Sequence, residues 1–357
     1  MEEMKKLLII DGNGRIVRDF YGSAPYPVKG ETEEQRWSRC LRTKDGRASN
    51  AVAVSLPGIL KYILYFKPDM VAVCFDKNRN TFRRALYPGY KAQRNESPAP
   101  LKEQILAMQD ILRKAGIPVL SVDGYEADDI VCTLARRYEM IPGVHIDIIS
   151  GDHDYLQLVD SNITVWMPQA SKEAADAMYT SFGYSAKERE AMPAKLFPYR
   201  DDTDVSLEMG VAAEQVPDIK GLAGDSSDNI PGVRGISSAA APLIAEYGDI
   251  DGIYAAIFND PKSFADKCRA LGIKRNPANT LLKGMGDAFL CRTLATMIEI
   301  PGFDFLANDL EFELDLKALR DIEKDWELAS SHNVISECII RYGRKTADDE
   351  DEGGDEE

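Results

Sequence analysis

Three short aliphatic runs in this chain each lead into an acidic residue, and no other feature constrains the fold as strongly. Leu7-Leu8-Ile9-Ile10 runs into Asp11, and Val71-Ala72-Val73-Cys74-Phe75 runs into Asp76. Ile146-Asp147-Ile148-Ile149-Ser150 is followed by Gly151-Asp152-His153-Asp154. A strand that is apolar at successive positions is buried on both faces, the condition of a parallel sheet covered by helices. Between the runs, apolar residues recur at i, i+3 and i+4 and predict helices over 51–66, 101–115 and 126–139, the second stopped by Gly116-Ile117-Pro118. The expected fold is α/β, with a mostly parallel central sheet and helices on both faces. Ligands of such folds sit beyond the carboxyl ends of the strands, where Asp11, Asp76, Asp152 and Asp154 fall. One acid after a strand is an ordinary turn residue. Three strands ending alike ask for a shared reason.

Two further clusters add to these acids. Gly124-Tyr125-Glu126-Ala127-Asp128-Asp129 opens a helix, with Glu126 and Asp129 three residues apart on one face and Asp128 beside them. The helix dipole favours one or two acids in a first turn, but three in four positions exceed capping needs. Gly224-Asp225-Ser226-Ser227-Asp228-Asn229 repeats the i, i+3 carboxylate pair. Nine carboxylates are thus candidates for one centre: Asp11, Asp76, Glu126, Asp128, Asp129, Asp152, Asp154, Asp225 and Asp228. If they converge, they cannot all ionise near neutral pH without cations. Oxygen-only ligands select hard ions, Mg²⁺ or Mn²⁺, and two such ions about 4 Å apart suit phosphodiester hydrolysis. A structural Ca²⁺ site is the plainer alternative, but it draws its ligands from one loop, whereas these come from five segments.

The formal net charge of −16 over 357 residues by itself argues against a nucleic-acid partner, but its distribution reverses that. The last ten residues hold eight acids and no base, while residues 77–95 hold six bases and no acid. A local basic strip of this kind is what meets phosphates. The six scattered cysteines form no C-x-x-C pair and read as reduced core residues. No run approaches the roughly 18 apolar residues of a membrane span, and the N-terminus meets Asp11 too soon for a secretory signal. The expected location is cytoplasmic.

DGN with Arg18 seven residues on, FD followed by TFRRALYPGYKAQR, GYEADD, SGDHDYLQLV and VPDIKGLAGDSSDNIPGVRGI together resemble the 5′-nuclease (flap endonuclease) family. The parallels are the 5′→3′ exonuclease domain of bacterial DNA polymerase I and its stand-alone phage relatives, in order from about residue 5 to about 300. No polymerase region follows, which is similar to the free-standing form. The resemblance implies a PIN-like nuclease core over 1–215 with a helical arch at about 77–105. It further implies a helix–turn–helix (H3TH) DNA clamp and C-terminal helical region over 216–346. An acidic tail over 347–357 is expected to be disordered.

Carried over position by position, the resemblance implies that Asp11, Asp76 and Asp128 serve a first ion and Glu126, Asp152, Asp154 and Asp225 a second. Asp129 and Asp228 would be outer ligands. It implies catalytic roles for Arg83, Arg18 and Lys91, with Arg83 reaching the scissile phosphate. DNA contacts fall on Arg79, Arg84, Arg94, Tyr87, Tyr90, Gly232, Arg234 and Gly235, with K⁺ held in the loop of Ile230, Val233 and Ile236. The expected substrates are DNA with 5′ flaps, nicks or free 5′ ends, and RNA–DNA hybrids. A monomer is expected, with the tail open to a replication protein. The chain departs from the family pattern at Asn80, at Ser237 and Ala239, and in a longer spacing between Asp154 and Asp225 that includes 168–208. Two other readings remain: a non-catalytic branch-binding protein, which so many unpaired acids beside DNA disfavour, and a PIN-type ribonuclease, which the clamp and basic strip disfavour.

Overall fold

The computed structural model describes residues 4–304 and 307–351. Six strands form one sheet in the order β3-β2-β1-β4-β5-β6. They are β1 (Lys5–Asp11), β2 (Met70–Cys74), β3 (Val119–Leu120), β4 (Val144–Ile149), β5 (Ile163–Pro168) and β6 (Leu196–Tyr199). The first five run parallel and β6 pairs antiparallel with β5.

The apolar runs read as successive because both sheet faces are covered. Leu8 and Ile10 of β1 join one core with Val71, Val73 and the helices Gly12–Ser23, Val52–Phe66 and Ala99–Lys114. Leu7 and Ile9 join the opposite core with Ala72, Ile146, Ile148 and the helix Ala127–Glu139. All six cysteines are buried and free. Among the described residues no helix is long and apolar enough to cross a membrane.

Residues 211–288 build a separate small core, with Leu222, Val233, Ile236, Leu243 and Ile253 at its centre. Residues 312–342, expected with this clamp, return instead to the first sheet face, where Leu319, Ile322, Ile335 and Cys338 pack. The backbone of 347–351 continues the last helix, and 352–357 lie outside the described residues. Between β2 and the Ala99–Lys114 helix, the stretch expected to form an arch holds one short helix, Phe82–Leu86, followed by turns.

In the clamp, Asp225 and Ile230 exchange backbone hydrogen bonds at 2.8 Å each way, closing the GDSSDNI turn. Gly224 (φ 79°) and Gly232 (φ 62°) sit backbone to backbone there, so a Cβ on either would meet main-chain atoms. Gly232→Ala is therefore expected to destabilise the clamp by about 1–3 kcal/mol, through strain at a left-handed position plus the clash. Thermal unfolding with and without duplex DNA checks this, and an unchanged melting temperature would refute it.

Candidate active site

Chain geometry gathers the acids before any ligand is considered. Asp11 ends β1 and caps the next helix, accepting from the Gly14 N–H (2.8 Å) and the Ser150 hydroxyl (2.9 Å). Asp76 follows β2 and accepts from the Ala127 N–H (2.7 Å) and the Asn13 amide. Asp152 follows β4 and accepts from the Asp154 N–H (2.9 Å), opening a 3₁₀ turn. Glu126 caps the Ala127–Glu139 helix, and Asp128 in its first turn accepts from the Tyr155 hydroxyl (2.6 Å). A cleft of about 540 Å³ opens over Asp11, Asp152, Asp154 and Asp225, with Arg18 and Lys220 at its walls.

Burial first, and then mutual repulsion, pushes several of these carboxylates up. Burial, then Asp128, pushes Asp11 from the usual carboxylate range to about 7, and its two hydrogen bonds only partly oppose this. Desolvation within the cleft, then Asp128, pushes Asp152 to about 6, with Lys220 pulling the other way. Asp76 and Glu126 move up as well, by desolvation first; Asp128 adds to both and Lys91 restrains both. An all-oxygen donor set that repels itself in this way fits a hard divalent cation.

Protein cations hold the remaining acids. Lys220 lies between Asp154 and Asp225 (2.6 Å to the latter). Asp225 is lowered to about 2: burial opposes the shift and is outweighed by hydrogen bonds from Lys220 and Ser227. Lys91 reaches Glu126 at 3.2 Å and Asp228 at 3.5 Å. Among the described residues no three acids stand as a closed ligand set. Lys91 and Lys220 are the cations that neutralise these acids.

The basic strip departs most from expectation. Arg83, expected at the scissile phosphate, is 2% exposed. It forms a two-point pair with Asp129 (2.7 Å twice) and donates to the carbonyls of Leu294 (2.9 Å) and Thr296 (2.7 Å). Asp129, expected as an outer metal ligand, is fully buried, and its oxygens also accept from the N–H groups of Glu126 and Ile298. All its lone pairs are engaged, so it is the counter-ion of Arg83. Tyr90, expected to stack on bases, is 2% exposed, and its hydroxyl bridges Glu126 (2.9 Å) and Asp228 (3.0 Å). Arg94 pairs with Asp228 at 2.5 Å. Lys91 adopts a left-handed φ of 51° while its N–H donates to the Asp228 carbonyl. The strip is thereby latched across the clamp turn and the Ala127–Glu139 helix, because its bases find acids that are distant in sequence.

Arg79 stays exposed and donates to the Asn95 carbonyl, Arg84 borders a side cleft with Phe82 and Tyr125, and Tyr87 packs beside Tyr90. In the clamp loop, Arg234 and Gly235 are exposed while Gly232 is buried, its N–H donating to the Cys291 sulfur. Ile230, Val233 and Ile236 are buried, and each carbonyl already accepts a backbone N–H. An ion held there would use their second lone pairs. Sequence reasoning missed Lys220, Tyr155, Ser150 and Asn13. Asn13 lies in DGN, Ser150 and Tyr155 in SGDHDYLQLV, and Lys220 five residues before Asp225, so each sits inside a motif whose pattern does not mark its role.

Comparison with known proteins gives the family and the fold. The model of the 5′-3′ exonuclease N-terminal resolvase-like domain matches residues 6–191, and that of the 5′-3′ exonuclease C-terminal SAM fold matches 211–321. A DNA polymerase I of Caldicellulosiruptor bescii is 32% identical over 332 residues, 92% of this chain and 32% of that protein. A 5′-3′ exonuclease of Aquifex aeolicus is 33% identical over 251 residues, 70% of this chain and 72% of that protein. The chain spans about a third or less of the DNA polymerase I relatives it matches. Among solved structures, T5 5′-exonuclease with bound zinc aligns at a TM-score of 0.54 and 20% identity, covering 95% of this chain and 99% of that one. A bacteriophage T5 D15 flap endonuclease in complex with DNA and metal ions aligns at 0.54 and 18% identity, covering 93% and 98%. These structural likenesses establish the fold, and the two family matches establish the lineage: the chain belongs to the 5′-3′ exonuclease family of nucleases.

Proposed function

We propose that this chain is a divalent-metal-dependent, structure-specific 5′-nuclease acting on 5′ flaps, nicks or free 5′ ends of DNA, and on RNA–DNA hybrid ends. The observation that carries this reading is the self-repelling carboxylate group at the strand ends, with Asp11 pushed to about 7 in an open cleft. Asp11, Asp76 and Asp128 would hold one Mg²⁺, and Glu126, Asp152, Asp154 and Asp225 a second, with Asp228 further out and Asp129 outside the set. When bound, the ions supply Lewis acidity and charge neutralisation at a phosphodiester.

The chain's own groups do the rest. Arg18 is exposed at the cleft wall, its nearest carboxylate partner Asp19 at 3.9 Å, which leaves its guanidinium available to a phosphate. Lys91 and Lys220 keep the acids compatible before substrate arrives and are then free to turn to phosphate oxygens. Arg234 and the exposed backbone at Gly235 would grip the duplex. K⁺ at the Ile230–Ile236 loop and replacement of Mg²⁺ by Mn²⁺ belong to the same reading, as does action as a monomer in replication or repair in the cytoplasm.

A 5′-labelled flap duplex and a nicked duplex, each incubated with Mg²⁺ or with EDTA, test it. Products in Mg²⁺ alone are expected, and their lengths separate flap cutting from exonuclease action. Tight flap binding with no products in Mg²⁺ would replace it with the branch-binding reading.

A further inference from the structure

Beside the carboxylate cleft runs a larger groove of about 950 Å³. One wall comes from the helices Gly12–Ser23 and Val52–Phe66, the other from residues 168–170 and 193–196, which lie within the long 168–208 stretch. The two cavities share Arg15, Arg18 and Pro168, so the groove is a continuation of the cleft.

Its charge is one-sided. Lys61 and Lys195 are exposed, and among the described residues neither pairs with a carboxylate. Asp19 is the one acid in the lining; it is 7% exposed and satisfied by Arg15 (2.5 Å) and the Ser55 hydroxyl (2.8 Å), so it offers little repulsion. Tyr65 is 43% exposed, and Tyr62 lies next to it in the lining under the Arg15 guanidinium. Unpaired cations and an exposed tyrosine ring lining one groove are the elements of a single-strand site, because only unpaired bases have faces free to stack.

We propose that this groove is a second nucleic-acid subsite, which receives the single-stranded arm of a branched or overhanging substrate as it leaves the carboxylate cleft. The proposal rests on the nuclease reading for the cleft itself, and it gives the 168–208 stretch a role: that stretch forms β6 and carries Lys195 to the wall. Lys61 and Lys195 contact backbone phosphates, and Tyr65 stacks on a base.

Fluorescence anisotropy in EDTA separates the groove from catalysis. A blunt duplex and duplexes with a ten-nucleotide 5′ or 3′ arm are titrated with wild type, with Lys61→Glu/Lys195→Glu and with Lys61→Arg/Lys195→Arg. The charge-reversed protein is expected to bind an armed duplex at least about tenfold more weakly and the blunt duplex within about twofold of wild type. For the armed duplex its log–log salt slope should fall by about 1.4, two single-strand phosphate contacts' worth. The arginine pair should behave as wild type. Dependence on either arm supports the proposal and names the strand. Equal losses on armed and blunt duplexes, or no loss, overturn it. Cleavage of a nicked duplex by wild type in Mg²⁺ reports separately on the nuclease reading, so either can fail alone.

Discussion

Arg83→Ala is expected to destabilise the protein by about 3–5 kcal/mol, the scale for removing one member of a buried ion pair. The guanidinium makes two 2.7 Å bonds to Asp129, which has no exposure, and satisfies the Leu294 and Thr296 carbonyls. Truncation strands a buried carboxylate and two buried acceptors and leaves a cavity that water must fill. A side chain that reached the scissile phosphate would behave in the opposite way, slowing cleavage while leaving stability alone. Thermal unfolding in EDTA distinguishes the two. A drop of several degrees is expected, partly recovered in Arg83→Met/Asp129→Leu, where both charges are replaced by apolar groups. An unchanged melting temperature with a large fall in kcat would show that Arg83 works at the phosphate in the substrate complex.

What the sequence made legible, and what it hid, follows from where the partners lie. Leu7–Ile10 and Val71–Phe75 announce strands because burial on both faces leaves no polar alternation, and their parallel neighbours confirm it. The helix expected over 51–66 is Val52–Phe66, since its apolar spacing and its core contacts are the same fact. The edge strand Leu196–Tyr199 was hidden in an irregular stretch: it is four residues long and contains Pro198, which the outer position tolerates. The basic strip misled for a different reason. Six bases without an acid read as a strip that meets phosphates, yet Arg83, Lys91 and Arg94 pair with Asp129, Glu126 and Asp228, between 35 and 134 residues away. Local pattern cannot display a neutralisation completed by the tertiary fold. The carboxylates were legible because strand ends and helix starts fix their positions one by one. Lys220 was not, because its role exists only once Asp154 and Asp225 face each other across it.

Asp128 is the charge on which the cleft's electrostatics turn, so Asp128→Asn should trade activity for stability. Its carboxylate adds to the upward shifts of Asp11, Asp76, Glu126 and Asp152. An amide keeps the shape and an acceptor for the Tyr155 hydroxyl while removing that repulsion. Metal-dependent cleavage is expected to fall by at least about 10²–10³-fold, as when one charge-stabilising group leaves an active site. The metal-free protein should respond in the other direction. An acid such as Asp11, whose folded pKa of about 7 exceeds its ordinary 3.8, binds more protons folded than unfolded between those values. Stability therefore falls as pH rises through that window. Wild type in EDTA should melt lower at pH 8 than at pH 5, and Asp128→Asn should narrow the gap by bringing the remaining carboxylates back toward their ordinary range. At pH 8, Mg²⁺ should raise the melting temperature of wild type more than that of the variant, since the ion binds the folded cluster and gains from the charge that Asn lacks. A variant that cleaves like wild type, or a pH gap that does not change, would mean that these carboxylates do not form one coupled metal centre.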